Sequence, residues 1–374
     1  MPQQETLSGH LVLPDRILPG LLHMTDGRIS AIEPRSDVPD RFVLPGFIDI
    51  HVHGGNGADA MDGEADVERM ARFHLQCGVT TILPTTMTRP WNEVLAALHA
   101  IRNVARRGIA DGPDIPGAHL EGPFISPNRL GAQPPYAVSP TSAEIEAITA
   151  LDIVRLTTLA PERCSTEAIT ALAKAGVRIS IGHTDATAED CARLFQIVQA
   201  ANGTVGGTHL FNAMPEIRGR APGPVAALLA DDHAFVELIF DTHHVHPTAF
   251  ALMRKAAPGR VILISDAMRA AGCGDGLSSL GGLPVLVRDG IARMGEDGSG
   301  GLAGSILTLD QALRNTLDHG VPLIDASAML SGHPARYLGL TDRGAFREGL
   351  RADAVVVDAR HQVEEVWRSG IRLR

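Results

Sequence analysis

PGFIDIHVHGG, residues 45–55, is the stretch that decides the fold. A short apolar run follows Gly46 and ends in two histidines, His51 and His53, a pattern typical of a buried strand with polar groups at its end. Successive side chains of a strand point to opposite faces, so these two imidazoles share a face. We therefore predict a buried strand that presents both histidines at its carboxyl end.

Seven more apolar runs follow along the chain, and helix-like segments lie between most of them. Eight alternating βα units predict an α/β fold, the (β/α)₈ TIM barrel, over residues 46–345. The predicted strands are Phe47–His51, Val79–Thr86, Ile115–Phe124, Ile153–Ala160, Val177–His183, Thr204–Phe211, Phe235–His243 and Arg260–Asp266. The clearest predicted helices are Ala65–Cys77, Trp91–Arg107, Thr166–Ala175 and Ala188–Ala201.

The two chain ends have a different pattern, with short strands separated by turns. Asp26-Gly27 between two alternating segments is a strong hairpin signal. Near the other end, 354–358 and 363–368 read as strands, followed by a Ser369-Gly370 turn. We predict one small β domain built from residues 1–45 and 346–374.

Composition excludes several classes of function. A net charge of -10 disfavours nonspecific binding to nucleic acid or an anionic membrane, but one basic pocket would still accept a small anion. No run has the ~18 apolar residues that span a bilayer, and the first eleven residues do not resemble a signal peptide. The four scattered cysteines favour a reducing compartment. We expect a cytoplasmic protein.

Polar side chains occur where the predicted strands end. In a barrel these ends meet on one face, where catalytic sites are built. Imidazole and carboxylate groups suit Zn²⁺ or Fe²⁺, and a His₂Glu set leaves a coordination position open for water. Each histidine alone also fits a hydrogen-bonded core role, and Glu121 alone also fits an ion pair with a basic neighbour. His119, one pleat deeper than Glu121, is predicted to be a buried partner. The candidate metal ligands are His51, His53, Glu121, His183 and His209.

Asp266 ends the eighth apolar run, where an unpartnered acid is costly. Capping of the following helix is one explanation for it. The functional alternative is a general base and then a general acid, which takes a proton from water and returns it to a leaving amine. We predict the catalytic role.

His244 and Arg220 are candidates for binding an anion, because an imidazolium and a guanidinium together suit a phosphate. The alternative for Arg220 is a solvated loop arginine. Another metal site is the alternative for the histidine cluster at 241–246, and His243 and His246 stay open between the surface and the pocket.

Taken together, these motifs resemble the N-acetylglucosamine-6-phosphate deacetylases of the amidohydrolase superfamily. The matching strings occur in family order, and the flanking GRISAIEP and GLRADAVVVD resemble the family's small β-sandwich. The strings are PGFIDIHVHGG (45–55), GAHLEGPFI (117–125), IGHT (181–184), GTHLFNAMP (207–215), GRAPG (219–223), DTHHV (241–245), ISDAM (264–268) and LAGS (302–305).

The resemblance implies a distorted barrel with a β-sandwich, an N-acetylamino sugar phosphate substrate and a homodimer in which Arg220 or His244 reaches the partner's phosphate pocket. It implies metal binding by Glu121, His183 and His209, with Asp266 as the acid–base residue. The substrate contacts that it implies are Ala132, Gln133, Asn212, Ala213, Arg220, His244, Leu302, Ala303 and Gly304.

The sequence leaves several alternatives open. Some relatives lack the His-x-His pair, and its presence here allows one or two divalent ions, with Zn²⁺ expected and Fe²⁺, Co²⁺ or Mn²⁺ as alternatives. Many relatives carry histidine where this chain has Gln133, which leaves the sugar epimer open between the glucosamine and galactosamine forms. Another amidohydrolase is a further alternative. A member that binds its metals through a carboxylated lysine of the barrel is disfavoured, because Lys174 and Lys255 both lie in helix-like segments. The retained metal ligands disfavour a noncatalytic homologue.

Overall fold

The computed structural model describes residues 3–374. Its centre is an eight-stranded parallel sheet in which each strand pairs with its neighbour in chain order, so the predicted barrel is confirmed. We number these barrel strands one to eight along the chain. They are Phe47–Val52, Val79–Thr86, Ala118–Glu121, Val154–Leu159, Arg178–Ile181, Val205–Gly207, Phe235–Ile239 and Val261–Ile264.

The barrel closes between strands eight and one without a regular ladder. Instead, Asp266 N donates to His51 O at 2.9 Å, and His53 N donates to Ala267 O at 2.9 Å. The barrel is therefore distorted at this seam. These bonds lie at the carboxyl ends of the two strands, and they fix Asp266 beside the His-x-His pair.

The four predicted helices form to within one residue at each end. Ala188–Ala200 begins after Thr187, which forms a reciprocal capping box with Asp190 and so satisfies free N–H groups of the first turn. Within residues 3–374, no helix combines the length and apolarity needed to cross a membrane. The α-helices are Glu64–Gln76, Trp91–Arg107, Ser142–Leu151, Thr166–Lys174, Ala188–Ala200, Gly223–Ala230, Pro247–Ala256, Leu309–Asp318, Leu323–Ser327 and His333–Leu338.

Both chain ends meet in one seven-stranded sheet, as the sequence predicts. Alternation divides its side chains between two cores, since Val43 packs inside the small domain and Leu44 packs into the barrel cluster. In spatial order the strands are Ile371–Arg372, Val363–Arg368, Ala354–Val357, Phe42–Pro45, Gln4–Val12, Ile17–Thr25 and Arg28–Pro34.

A three-stranded antiparallel sheet follows strand eight and was not predicted. It comprises Gly276–Leu280, Leu283–Arg288 and Ile291–Met294. Its second turn is Asp289-Gly290, where both residues have positive φ, as a two-residue hairpin turn requires. Asp26-Gly27 carries the same signal, so the sequence also indicates this hairpin.

The junction between the small domain and the barrel gives a stability prediction. Leu44 is fully buried in the barrel cluster, so Leu44→Ala should lower the free energy of unfolding by about 2–5 kcal/mol. Leu252→Ala is the matched control, because Leu252 is 57% exposed and should change stability by no more than about 0.5 kcal/mol. Urea unfolding midpoints measure both, and equal midpoints would contradict the packing described.

Candidate metal centre and active site

The predicted metal ligands and Asp266 converge at the carboxyl ends of the barrel strands. His51 belongs to strand one, His53 follows it directly, and Glu121 ends strand three. The remaining three residues, His183, His209 and Asp266, each lie two residues beyond the end of strands five, six and eight. The parallel strands therefore deliver six polar side chains to one barrel mouth, as the sequence predicts.

Two groups of donor atoms form there. In the first, Glu121 Oε1 lies 3.2 Å from both His183 Nε2 and His209 Nε2, and these two nitrogens are 3.0 Å apart. In the second, His53 Nε2 lies 3.3 Å from both His51 Nε2 and Asp266 Oδ1. Within each group the donor atoms all lie within 4.8 Å of one another.

The Glu121 carboxylate joins the two groups. Its Oε1 lies 3.4 Å from His51 Nε2, and its Oε2 lies 3.2 Å from His53 Nε2. All the donors are nearly or fully buried, and Glu121 is only 1% exposed. Nitrogen and oxygen donors that lie this close together suit first-row divalent cations.

The electrostatics of the site favour negative carboxylates. Burial raises the pKa of Glu121, but charge on His51 and His183 outweighs burial and holds this pKa well below its usual range. Burial also raises the pKa of Asp266, yet charge on His51 and a bond from His53 lower it overall. Burial lowers the pKa of His53, but bonds to Asp266 and Glu121 raise it to about 9. The cluster therefore requires positive charge, which imidazole protons or a divalent cation can supply.

Three of these residues also have a strained backbone. The φ angles are 47° at His183, 29° at His209 and 47° at Asp266, all in the left-handed region that residues other than glycine rarely adopt. Such conformations cost on the order of 1–3 kcal/mol each and persist where surrounding contacts enforce them. Each turns the chain sharply as it leaves its strand.

A cavity of about 290 Å³ opens onto the cluster. The structure places most of the predicted site residues on its wall and adds apolar residues that motif analysis missed. The predicted residues on the wall are His53, Glu121, Ala132, Gln133, His183, His209, Asn212, Ala213, His244, Asp266, Leu302 and Gly304. The missed ones include Met87, Ile239 and Leu280.

Three predicted site residues do not line this cavity. His51 is fully buried beneath it, and Ala303 packs in the apolar cluster beside it. Arg220 is exposed on the loop that follows strand six. Of these three, only Arg220 is exposed to solvent.

The Gln133 side chain contacts the candidate metal group as well as the cavity. Its Nε2 donates to Glu121 Oε2, and its Oε1 accepts from Thr88 N at 2.7 Å. Gln133 is 5% exposed. Its amide therefore orients Glu121, a contact that sequence analysis did not anticipate.

The three histidines between residues 243 and 246 differ in their exposure and contacts. His244 is held by Asp241, whose Oδ2 lies 2.7 Å from its Nδ1, which leaves Nε2 as the nitrogen available to a ligand. His243 is exposed, and His246 is exposed and caps helix Pro247–Ala256 by accepting from Thr248 N. The two open assignments thus resolve to the surface.

His119 is a buried structural partner, as predicted. Its Nδ1 lies 3.1 Å from Ile50 O, and its Nε2 lies 2.7 Å from Thr158 Oγ1. Burial and the neighbouring charge of His51 hold its pKa well below the usual range, which favours a neutral ring.

Glu237 is a buried acid that motif analysis missed. It lies on strand seven, with Oε2 3.1 Å from His51 Nδ1, and it is 1% exposed. The sequence signal that points to Glu237 is a lone carboxylate within the apolar run Phe235–Ile239.

Comparison with known proteins places this geometry in a family. The amidohydrolase family model matches residues 42–372. The chain is 39% identical over 360 residues to the N-acetylgalactosamine-6-phosphate deacetylase of Escherichia coli O157:H7, covering 93% of each chain. It is 37% identical over 361 residues to the N-acetylglucosamine-6-phosphate deacetylase of Bacillus subtilis (strain 168), covering 91% of this chain and 89% of that relative.

Solved structures agree with the sequence comparisons. A mutant N-acetyl-D-glucosamine-6-phosphate deacetylase from Mycobacterium smegmatis, in complex with N-acetyl-D-glucosamine-6-phosphate, matches with a TM-score of 0.91 at 34% identity over 99% of both chains. The N-acetylglucosamine-6-phosphate deacetylase of Thermotoga maritima matches with a TM-score of 0.91 at 31% identity, also over 99% of both chains. With its barrel, its paired histidine–carboxylate groups and these relatives, the chain belongs to the amidohydrolase family.

Proposed function

We propose that this protein hydrolyses N-acetyl-D-glucosamine 6-phosphate to D-glucosamine 6-phosphate and acetate, in amino sugar catabolism or recycling. The observation that carries the proposal is the convergence of two histidine–carboxylate groups, including Asp266, on one cavity. The names of the Bacillus subtilis relative and the Mycobacterium smegmatis structure support this substrate.

The family and the donor set support a divalent metal. We infer that Glu121, His183 and His209 hold one ion and that His51 and His53 contribute to a second. Zn²⁺ is the expected ion, and Fe²⁺, Co²⁺ and Mn²⁺ suit the same donors. An ion held there supplies a Lewis acid that lowers the pKa of water and polarises a carbonyl oxygen.

Asp266 is the proposed proton carrier. It borders the cavity, and its Oδ1 lies 3.3 Å from His53 Nε2, so the carboxylate is held in place at the reacting position. Its lowered pKa keeps it ionised and ready to accept a proton from the attacking water. It then returns the proton to the departing amine, so acetate and the amino sugar phosphate are released.

The cavity wall positions the sugar phosphate. The buried imidazole of His244 offers Nε2 to the phosphate, while Asp241 fixes its orientation. Asn212 and the backbone near Ala132 and Gly304 border the same space. Holding the phosphate fixes the acetamide next to Asp266, and such orientation lowers the entropic barrier to reaction.

A second copy of the chain would bring the exposed Arg220 to a bound phosphate. Arg220 is exposed and does not line the cavity of its own chain. We propose a homodimer in which this guanidinium reaches the phosphate bound in the partner's cavity, because Arg forms strong bonds to phosphate oxygens.

N-acetyl-D-galactosamine 6-phosphate is the second candidate substrate. The Escherichia coli O157:H7 relative named for that sugar is 39% identical over 360 residues, which supports it. The two sugars differ only in the orientation of one ring hydroxyl, so contacts on the cavity wall decide between them.

Acetate release from matched substrates tests the function. We expect the protein with bound Zn²⁺ to have a higher kcat/KM for N-acetyl-D-glucosamine 6-phosphate than for its galactosamine epimer, and far lower values for unphosphorylated N-acetylglucosamine. Metal analysis of the same sample accompanies the assay. The reverse order of the two epimers would favour the second substrate, and no release from either phosphorylated sugar would refute the proposal.

Asp266→Asn tests the proton carrier. The amide keeps the size of the side chain but cannot take up the proton, so kcat should fall by about 10²–10⁴-fold while substrate and metal still bind. Calorimetric titration with the sugar phosphate and metal analysis measure binding. Asp232→Asn, an exposed substitution of the same kind, is the control. Turnover of the Asp266 variant near that of the control would remove it from the proposed role.

Arg220→Ala tests the phosphate contact. Loss of a charge-assisted bond should raise KM for the phosphorylated sugar by about 10–100-fold and leave the unphosphorylated sugar unaffected. Arg218→Ala, in the same exposed loop, removes an equal charge and serves as the control. Equal losses on both sugars would show that Arg220 does not bind phosphate.

A further inference from the structure

In each imidazole of the cluster, the hydrogen-bond partner of Nδ1 determines which ring nitrogen can bind an ion. His53 Nδ1 lies 3.2 Å from Thr85 O, and His183 Nδ1 lies 2.9 Å from Arg129 O. A carbonyl oxygen only accepts hydrogen bonds, so both rings carry their proton on Nδ1. Their Nε2 lone pairs are therefore free to face the cluster.

His51 differs from the other rings in the group that supports it. Its Nδ1 lies 3.1 Å from Glu237 Oε2, and both side chains are buried, with relative exposures of 0% and 1%. His209 Nδ1 has no hydrogen-bond partner among residues 3–374. Within that part of the chain, Glu237 is the one carboxylate that contacts the Nδ1 atom of any of the four rings, which are those of His51, His53, His183 and His209.

Glu237 has little else to stabilise its buried carboxylate. Within residues 3–374, its Oε1 has no hydrogen-bond partner, and its carboxylate forms an ion pair with His51 alone. The adjacent strand residues Val236 and Leu238 are apolar and fully buried. A buried carboxylate with so few partners lowers the stability of the fold. Its contact with His51, and not a gain in stability, therefore accounts for this acid.

We propose that Glu237 is a positioning residue that holds the His51 proton on Nδ1. The Nε2 lone pair of His51 then faces the group that His51 forms with His53 and Asp266. Glu237 thereby sets the affinity of this group for a divalent ion. The inference rests on the metal assignment of the proposed function. A carboxylate behind a ligating imidazole fixes its orientation and strengthens it as a donor, more than a carbonyl does.

Metal titration of the full chain tests this role. Protein stripped of metal is titrated with Zn²⁺ against a competing chelator, and the binding step that disappears in His51→Ala is assigned to the His51 group. Glu237→Leu removes the acceptor and should weaken that step by about 10–100-fold, whereas the step at Glu121, His183 and His209 is unchanged. Glu237→Gln keeps an amide oxygen that accepts the Nδ1 proton, so its loss should be smaller.

Asp49→Asn is the matched control. Asp49 is an equally buried carboxylate, but its Oδ1 accepts from the backbone N–H groups of His51 and Ser265 and does not touch an imidazole ring. This variant should therefore leave both binding steps unchanged. Unfolding midpoints establish which variants are folded, and Glu237→Gln carries the test if Glu237→Leu does not fold.

Three results would overturn the role of Glu237. They are an unchanged His51 step in the folded variants, equal weakening of both steps, and a single binding step in the wild-type protein. Acetate release by the wild-type chain is measured separately. Its absence would refute the proposed function, whereas the metal titration alone decides whether Glu237 positions His51.

Discussion

The contact between one carboxylate and four imidazoles is the constraint on which the site depends. Glu121 lies within 3.4 Å of the Nε2 atoms of His51, His53, His183 and His209, although it is only 1% exposed. A buried carboxylate is stable only beside positive charge, and closely set imidazole nitrogens are stable together only around protons or a cation. The parallel barrel meets both conditions, because its strands all end at the same face.

Much of the barrel could be predicted because its signals are local. Helix Trp91–Arg107 agrees with the prediction at both ends, and Pro90 before it and Gly108 after it are the local signals that bound it. The polar residues at strand ends stood out against apolar runs, which is why Glu121 and Asp266 were found. The three-stranded sheet after strand eight was missed, although Asp289-Gly290 carries a recognised turn signal.

Contacts between distant parts of the chain could not be predicted in this way. Glu237 lies 186 residues from His51, and only the closed barrel brings them together. Gln133 was expected to contact substrate, but no sequence pattern indicated that its amide would also bond to Glu121. The location of Arg220 depends on an exposed loop, whose position no local pattern specifies. The sequence therefore predicts the candidate donors, while the structure shows what orients them.

Glu121, His183 and His209 are proposed to bind one common ion at the barrel mouth. Anomalous X-ray diffraction from crystals of the Zn²⁺-loaded protein, recorded on both sides of the zinc absorption edge, tests it most directly. We predict an anomalous peak enclosed by Glu121, His183 and His209. A peak located elsewhere on the molecule, or no peak among these three side chains in zinc-loaded crystals, would contradict the account.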